Sequence, residues 1–305
     1  MRLISSLSYL ILIFGLVFLL HACNETEETA IETEVIRGNL VMVGGGPRPE
    51  SIMRHVVSLS PDSTFLLIPM ASSIPDTIGW EQRDQLIGFG AKQVDIMMLT
   101  DEDYDHPDII EIIRAARGIW FSGGDQNRLM EYFSPAMREA VREAWVNGAV
   151  IAGTSAGTAV QSSTMITGDE QFPLSSRFDS FSQIRTGNVI TSEGFRLLEG
   201  MIADQHFIKR NRLNRLINVL IDSENDTAAA GIDEATALWI SGAGKATVLG
   251  ESQVIIIEKS RNFEQTSYNG LTGAQQIRLH ILPPGSTFHW HNREIKNIIL
   301  SDSNN

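Results

Sequence analysis

The chain has 305 residues, of which 43% are hydrophobic and 20% are charged, and its formal net charge is −13. This composition is typical of a globular protein, and the length suffices for one large α/β domain or two small ones. The acidic balance argues against nucleic acid as a partner, because neutralising phosphates takes a surplus of Lys and Arg.

The N-terminal segment has the features of a secretory signal. Arg2 supplies a positive charge, and residues 9–20 form an uninterrupted apolar run. The run is too short to span a bilayer comfortably, which takes about 20 residues. Its length suits the apolar part of a signal peptide. We therefore expect residues 1–22 to be a signal peptide and the protein to be exported.

Cys23 is the only cysteine of the chain, and it follows the small residue Ala22 just after the apolar run. This resembles the lipobox of bacterial lipoproteins, in which the cysteine becomes the lipidated first residue. His21 departs from the usual lipobox, which leaves plain secretion or a retained anchor as alternatives. Residues 23–37, rich in Glu and Thr, are predicted to be a lipidated cysteine and an acidic tether. The expected location is the periplasm or the outer surface, at a membrane.

After the tether, short apolar runs alternate with helical patterns. Strands are predicted at 39–43, 65–70, 93–99, 118–121 and 149–152. Helices are predicted at 52–59, 80–89, 107–116 and 135–147. Apolar strands that each precede a helix indicate an α/β fold with a mainly parallel, doubly wound, flavodoxin-like sheet. In such sheets the functional residues follow the carboxyl ends of the strands.

The second half of the chain has a different pattern. Residues 207–221 are predicted to be an amphipathic helix, because their leucines and isoleucines recur at helical spacing. Further strands are predicted at 237–240, 246–249, 254–258 and 277–282, and we expect them to join the same domain. No internal repeat or domain boundary is visible, so residues 38–301 are predicted to form a single domain. Residues 302–305 are predicted to be a frayed tail.

A nucleophile elbow is the sharpest local motif. The segment Gly153-Thr-Ser-Ala-Gly157 directly follows a predicted strand and precedes a predicted turn into a helix. This is the context in which the G-x-S-x-G pattern raises a serine hydroxyl above a sheet. The amide of Ala156 then points to where a tetrahedral oxyanion would form. Ser155 is therefore the candidate nucleophile.

A serine nucleophile needs a base and an acid that orients it. His206 follows Asp204-Gln205 at the start of the predicted amphipathic helix, in a loop position where functional residues concentrate. The candidate acid is Glu234, which lies between two apolar segments. Two glycines at 123 and 124 follow another strand and are candidates for a second oxyanion donor.

Four motifs, in this order along the chain, resemble those of cyanophycinases: Gly123-Gly-Asp-Gln126, the elbow, Asp204-Gln-His-Phe207 with arginines at 210, 212 and 215, and Gly231-Ile-Asp-Glu234. Cyanophycinases are serine peptidases of family S51, the dipeptidase E group, with a fold like class I glutamine amidotransferases. The resemblance extends from the first strand to the segment Leu282-Pro-Pro-Gly285. It therefore covers most of the chain after the tether.

The resemblance implies a role for each matching residue. Ser155 would be the nucleophile, His206 the general base and Glu234 its partner. The oxyanion hole would use backbone amides of Gly124 or Asp125 together with Ala156. The residues implied to line the substrate pocket are Gln126, Asp204, Gln205, Arg210, Arg212 and Arg215.

The implied substrate is cyanophycin, a poly-aspartate with arginine joined to each side chain, and the implied products are β-Asp-Arg dipeptides. Arginines would take the carboxylates, and an acidic group such as Asp204 would take the guanidinium. No metal or cofactor is implied, and self-association into a homodimer is left open. Thr158 departs from the small residue expected after the elbow, and the polar stretch 171–185 is expected to rim the site.

Three other interpretations remain open at this stage. The protein could be an isoaspartyl or Asp-specific peptidase of the same family that acts on other peptides. An α/β-hydrolase esterase would use the same elbow with a late base, for which His280, His289 and His291 qualify. A non-catalytic lipoprotein would bind peptides without cleaving them. The pair His289 and His291 could also bind a metal, although alternation on a strand accounts for it.

Overall fold

The structure is a computed structural model that describes residues 35–60, 62–173 and 181–301. The predicted signal segment, Cys23, nearly all of the predicted tether and the tail at 302–305 lie outside these residues. The described residues from Val35 onward belong to one compact unit. None of the helices in the described ranges combines the length and apolar character that crossing a membrane requires.

Five parallel strands form one side of the larger sheet: β1 (Asn39–Val43), β2 (Thr64–Ile68), β3 (Gln93–Ile96), β4 (Gly118–Phe121) and β5 (Val150–Thr154). All five correspond to predicted strands. Each interior strand is almost wholly buried because both faces of the sheet are covered, which is why its sequence is apolar without alternation. Their order is β1-β5-β4-β2-β3, whereas flavodoxin itself has the order 2-1-3-4-5.

The helices of this half are α1 (Glu50–Leu59), α2 (Pro75–Gly88), α3 (Pro107–Ala115), α4 (Gln126–Glu131), α5 (Pro135–Val146) and α6 (Ala156–Ala159). Side chains of α1 and α2 pack on one face of the sheet, and side chains of α3 and α5 pack on the other. The doubly wound α/β architecture is therefore confirmed. Helix α2 begins at Pro75 rather than at residue 80, because proline at the first helical position has no amide hydrogen left unpaired.

Antiparallel strands extend the sheet beyond β1. They are β10 (Thr236–Ile240), β11 (Lys245–Gly250), β14 (Thr287–His291) and β15 (Glu294–Ile299), which bring the sheet to nine strands. Strand β10 pairs directly with β1. The prediction that C-terminal strands join the same domain is confirmed.

A second sheet of four strands was not predicted. It has the order β13-β12-β9-β8 and consists of β8 (Met201–Asp204), β9 (Ala228–Ile232), β12 (Val254–Tyr268) and β13 (Leu271–Leu282). Strands β8 and β9 are parallel neighbours, and helix α7 (Leu213–Asp222) packs on this sheet. The other face shares a core with the larger sheet, for example through Ile256 and Ile151. A separate hairpin is formed by β6 (Thr164–Glu170) and β7 (Val189–Glu193).

The predicted helix at 207–221 is wrong in its first part, because α7 begins only at Leu213. His206 and Asn211 both have positive φ, at 48° and 52°, which a helix does not allow. The intervening Lys209 donates its amide hydrogen to the Asp233 carboxylate at 2.9 Å instead of to a helical carbonyl. The segment before α7 is therefore a turn held against the end of β9.

Candidate active site

Ser155, His206 and Glu234 meet at the carboxyl ends of three strands. Ser155 follows β5 in the larger sheet, while His206 and Glu234 come two residues after β8 and β9 in the smaller one. Because β8 and β9 are parallel neighbours, their ends place the imidazole and the carboxylate side by side. His206 Nε2 lies 3.0 Å from Ser155 Oγ, and His206 Nδ1 lies 2.6 Å from Glu234 Oε1. These distances are hydrogen-bond distances, so the three side chains form a continuous chain.

The backbone at Ser155 is strained, with φ 54° and ψ −109°. The turn is possible because of its flanking glycines. A Cβ atom at Gly153 would lie 2.4 Å from the carbonyl oxygen of Gly157, and one at Gly157 would lie 2.4 Å from that of Phe121. The Ser155 amide donates to the Val43 carbonyl at 3.0 Å, which fixes the elbow to the end of β1. The elbow prediction thus has the strand, turn and helix that it requires.

The glycine run after β1 belongs to the site, which the sequence pattern alone did not assign. A Cβ atom at Gly45 would lie 2.3 Å from His206 Nε2, and one at Gly46 would lie 2.8 Å from Glu234 Oε2. Gly44 accepts the amide hydrogen of His206 at 2.7 Å. The available signal was three consecutive glycines directly after a buried strand, because such a run permits another segment to approach the backbone closely.

Of the predicted oxyanion donors, Asp125 is corrected. Its amide donates to the Ala71 carbonyl at 2.8 Å, and its carboxylate caps α4 by accepting from Asn127 N at 2.8 Å. The amides of Gly124 and Ala156 are not engaged by another group within the described ranges. Gly124 has φ 144°, and a Cβ atom there would lie 2.1 Å from the Ala71 oxygen, so this position requires glycine. Gly124 and Ala156 therefore stay as the predicted donor pair.

Asp204 is also corrected, because its carboxylate is already occupied. It is 1% exposed and pairs with Arg215, which is 4% exposed. Arg215 Nε donates to Asp204 Oδ2 at 2.8 Å, and Arg215 Nη2 donates to Oδ1. Both oxygens of the carboxylate face this guanidinium, so Asp204 is not free to bind a substrate guanidinium. It orients Arg215 instead.

Gln205 and Arg212 form a second unit beside the nucleophile. Arg212 Nη1 donates to both the backbone oxygen and Oε1 of Gln205, each at 2.7 Å. Gln205 Oε1 in turn lies 3.4 Å from Ser155 Oγ. Burial, together with the neighbouring charge of Arg215, lowers the pKa of Arg212 to about 10. Arg212 thus remains a cation at neutral pH and fixes the amide of Gln205 next to the nucleophile.

Gln126, one of the predicted pocket residues, is held by hydrogen bonds within the protein. Its Nε2 donates to the backbone oxygens of Ile166 and Thr167, at 2.8 and 2.7 Å. The side chain is 7% exposed, and its amide hydrogens are used within the protein. Gln126 therefore ties the start of α4 to strand β6.

A cavity of about 750 Å³ opens at Ser155, within the range of roughly 300–1,000 Å³ that is usual for ligand sites. Of the six predicted pocket residues, five line it: Gln126, Gln205, Arg210, Arg212 and Arg215. Asp204 lies behind them. Thr167, Gly168 and Asp169 also line it and were not predicted, whereas Phe181 falls in the stretch expected to rim the site.

The remaining predictions concern Thr158 and the late histidines. The Thr158 hydroxyl is buried, 2.7 Å from the Val43 oxygen and 3.1 Å from the Gly153 oxygen, so it is accommodated beneath the elbow. His280 pairs with Glu258 at 2.9 Å on the second sheet. His289 and His291 lie on β14, four strands from β5, or about 19 Å at the usual strand spacing. None of these three is the base bonded to Ser155. No group of three or more potential metal ligands occurs among the described residues.

The surroundings of His206 favour its neutral form. Burial is the main cause that lowers the pKa of His206 below its ordinary value of 6.5, and the positive charges of Arg210 and Arg212 lower it further. The hydrogen bond to Glu234 acts in the opposite direction. A neutral imidazole at pH 7 is what a general base requires.

Comparison with known proteins identifies the family. The sequence profile of peptidase family S51 matches residues 40–248, more than half of the chain. The chain belongs to peptidase family S51. It is therefore a serine-type peptidase.

Named relatives of this S51 peptidase cover most of its length. A cyanophycinase of Synechococcus elongatus is 29% identical over an alignment of 272 residues that covers 84% of this chain and 81% of the relative. A cyanophycinase of Trichormus variabilis is 32% identical over an alignment of 237 residues that covers 75% of this chain and 76% of the relative. The crystal structure of a peptidase from an acI-B1 Actinobacterium is 27% identical, with a TM-score of 0.60, and the match covers 84% of this chain and 98% of that one.

Strain at the elbow leads to a stability prediction. We expect Ser155→Gly to be more stable than Ser155→Ala by about 1 kcal/mol, because only glycine adopts positive φ without cost. Urea unfolding of both variants measures the difference. The same two substitutions at Ser58, on the exposed side of α1, are the control. There Ser58→Ala should be more stable than Ser58→Gly by roughly 0.5–1 kcal/mol, because glycine is unfavourable in a helix. Equal stability of the two Ser155 variants would show that the elbow is not strained.

The charges near His206 lead to a prediction about pH. The rate at which a fluorophosphonate labels Ser155 should fall as pH decreases through a midpoint below 6.5, because protonated His206 cannot accept the serine proton. Arg210→Gln removes a positive charge and should move this midpoint upward. Arg261→Gln, at a side chain that is 93% exposed on β12, is the matched control and should leave it unchanged. A midpoint that Arg210→Gln does not move contradicts the proposed electrostatic cause.

Proposed function

We propose that this S51 peptidase hydrolyses a cyanophycin-like polymer to β-Asp-Arg dipeptides through an acyl-enzyme on Ser155. The observation that carries the proposal is the hydrogen-bonded chain from Glu234 to Ser155, which opens into a cavity lined by three arginines. Two relatives that cover most of the chain are cyanophycinases. An arginine-lined cavity beside a serine nucleophile suits a substrate rich in carboxylates.

The first step is attack by the serine. His206 Nε2 accepts the proton of Ser155 Oγ while Oγ forms a bond to the carbonyl carbon of the substrate. Glu234 accepts a hydrogen bond from Nδ1, which keeps the lone pair of Nε2 directed at the hydroxyl and stabilises the imidazolium. The negative charge that develops on the carbonyl oxygen is placed at the free amides of Gly124 and Ala156.

The second step releases the products. The bond from carbon to nitrogen breaks, and the departing nitrogen takes the proton from His206. Water then gives a proton to the same imidazole and attacks the ester carbon, and Ser155 Oγ leaves with that proton. The cycle needs only the three side chains, the two amides and water.

Recognition would rest on the arginines and Gln205. Arg215 is held by Asp204 and Arg212 by Gln205, so both guanidinium groups have fixed orientations before substrate binds. Arg210 is exposed and makes no ion pair within the described ranges. Fixed guanidinium groups bind carboxylates without losing much side-chain entropy.

Digestion of cyanophycin tests the proposal. The purified protein should release β-Asp-Arg dipeptides identified by mass spectrometry, and Ser155→Ala should lower the rate by about 10⁴-fold or more. His206→Ala should have a similar effect, whereas Ser58→Ala is the matched serine control and should not. Near-normal turnover by Ser155→Ala would end the serine mechanism. Cleavage of isoaspartyl or Asp-containing peptides but not of cyanophycin would instead make the protein an isoaspartyl peptidase of the same family.

We further propose that the protein is exported and carries a lipid at Cys23. The support is the positive Arg2, the apolar run at 9–20 and a single cysteine placed just after it. An exported enzyme would degrade polymer from outside the cell, which gives a reason for a tether between membrane and peptidase.

Fractionation of cells tests this location. In a bacterial host grown with labelled palmitate, the wild-type protein should be labelled and should sediment with membranes. Cys23→Ser should abolish the label and release the protein from the membrane fraction, whereas Ser58→Ala should behave as wild type. A label that persists in Cys23→Ser, or its absence from the wild type, would reject lipidation at this residue.

A further inference from the structure

A bulge in the β6–β7 hairpin faces the cavity. Ile166 pairs with Thr191, and the next pair along β6 is Glu170 with Val189. Three residues of β6, at 167–169, are therefore opposed by one residue of β7. Extra residues of this kind leave the ladder and turn side chains in a new direction, and they are frequent beside active sites.

Several contacts fix the bulge. Gly168 has φ 104°, which is a glycine conformation. Thr167 Oγ1 donates to the Ile190 oxygen at 2.9 Å and accepts the Asp169 amide hydrogen at 3.2 Å. Gln126 holds the same stretch from the other side through the backbone oxygens of Ile166 and Thr167. The backbone that carries Asp169 is thus held on both sides.

The bulge lines the same cavity as the nucleophile and the arginines. Most charges there already have partners, since Asp204 pairs with Arg215, Arg212 binds Gln205 and Asp125 caps α4. Asp169 and Arg210 are the exceptions, because within the described ranges neither side chain makes a hydrogen bond or ion pair. Two uncommitted charges of opposite sign in one cavity suit a ligand that carries both signs.

We propose that Asp169 is a specificity residue that accepts the cationic side chain of the substrate, while Arg210 takes a carboxylate. Within the function proposed above, on which this inference rests, the cation is the guanidinium of the arginyl group. Asp204 would otherwise be the obvious acceptor, but Arg215 occupies it. A carboxylate on a fixed bulge offers two oxygens to a guanidinium fork. Gln126 is then a positioning residue, because it holds the bulge and not the substrate.

The test uses two polymers of the same shape, β-aspartyl-arginine and β-aspartyl-citrulline, because citrulline replaces the guanidinium with a neutral urea. The wild type should prefer the arginine polymer. Asp169→Asn should lower kcat/KM for the arginine polymer by about 10- to 100-fold and leave kcat/KM for the citrulline polymer unchanged. Asp169→Glu should restore part of the preference. Asp101→Asn, an exposed carboxylate on a short helical turn at residues Asp101–Asp103, makes the same change of net charge and should have no effect.

Labelling of Ser155 and cleavage of the two polymers together decide the role of Asp169. Fluorophosphonate labelling of Ser155 should be as fast in Asp169→Asn as in the wild type, which separates recognition from damage to the nucleophile. An equal loss on both polymers, or a preference for arginine that survives in Asp169→Asn, would overturn the role of Asp169 and leave the proposed function intact. A wild-type protein that cleaves neither polymer would overturn the proposed function and this role together.

Discussion

The close approach of His206 to the backbone at Gly45 is the contact on which the site depends. It joins the end of β1 in one sheet to the end of β8 in the other, and it leaves no room for a side chain at residue 45. Two hydrogen bonds secure it, from His206 N to the Gly44 oxygen at 2.7 Å and from Ala235 N to the Gly45 oxygen at 3.0 Å. The second sheet can therefore bring both the base and its acid to a nucleophile that belongs to the first sheet.

The nucleophile and the base both hold unusual backbone conformations. Ser155 has φ 54° and His206 has φ 48°, and such conformations cost roughly 1–3 kcal/mol each for residues other than glycine. Both are held by an amide that donates to the end of β1, at Val43 for the serine and at Gly44 for the histidine. The strain is thus offset by hydrogen bonds to the end of the same strand, and the hydroxyl and imidazole need little rearrangement before they react.

The sequence allowed the parallel strands and the elbow to be predicted, because both are local patterns. A buried parallel strand is an apolar run, and an elbow is five residues in a fixed context. The partners of Asp125 and Asp204 could not be predicted in this way. Asp125 binds Ala71 across 54 residues, and whether its amide is free depends on where that loop folds. The sequence predicts a free carboxylate at Asp204, because it does not show that the turn before α7 places Arg215 next to this residue.

The second sheet could not be predicted from the sequence either, because it depends on strands that pair over long distances along the chain. Its strands include apolar runs that resemble those of the first sheet, and the sequence pattern does not say which strands pair. The predicted helix includes residues 207–212, which instead form a turn in which Lys209 binds Asp233 from another loop. Long-range hydrogen bonds of this kind override local propensity.

The cations of the cavity couple recognition to the state of the base. Arg215 is paired with Asp204, and the positive charges that act on His206 are those of Arg210 and Arg212. This charge attracts a carboxylate, and it also lowers the pKa of the imidazole in the free enzyme. When a carboxylate binds to the arginines it neutralises part of that charge, so the pKa of His206 should rise in the complex. The imidazole is therefore a stronger base in the complex, where it accepts the serine proton. In the free enzyme it is a weaker base.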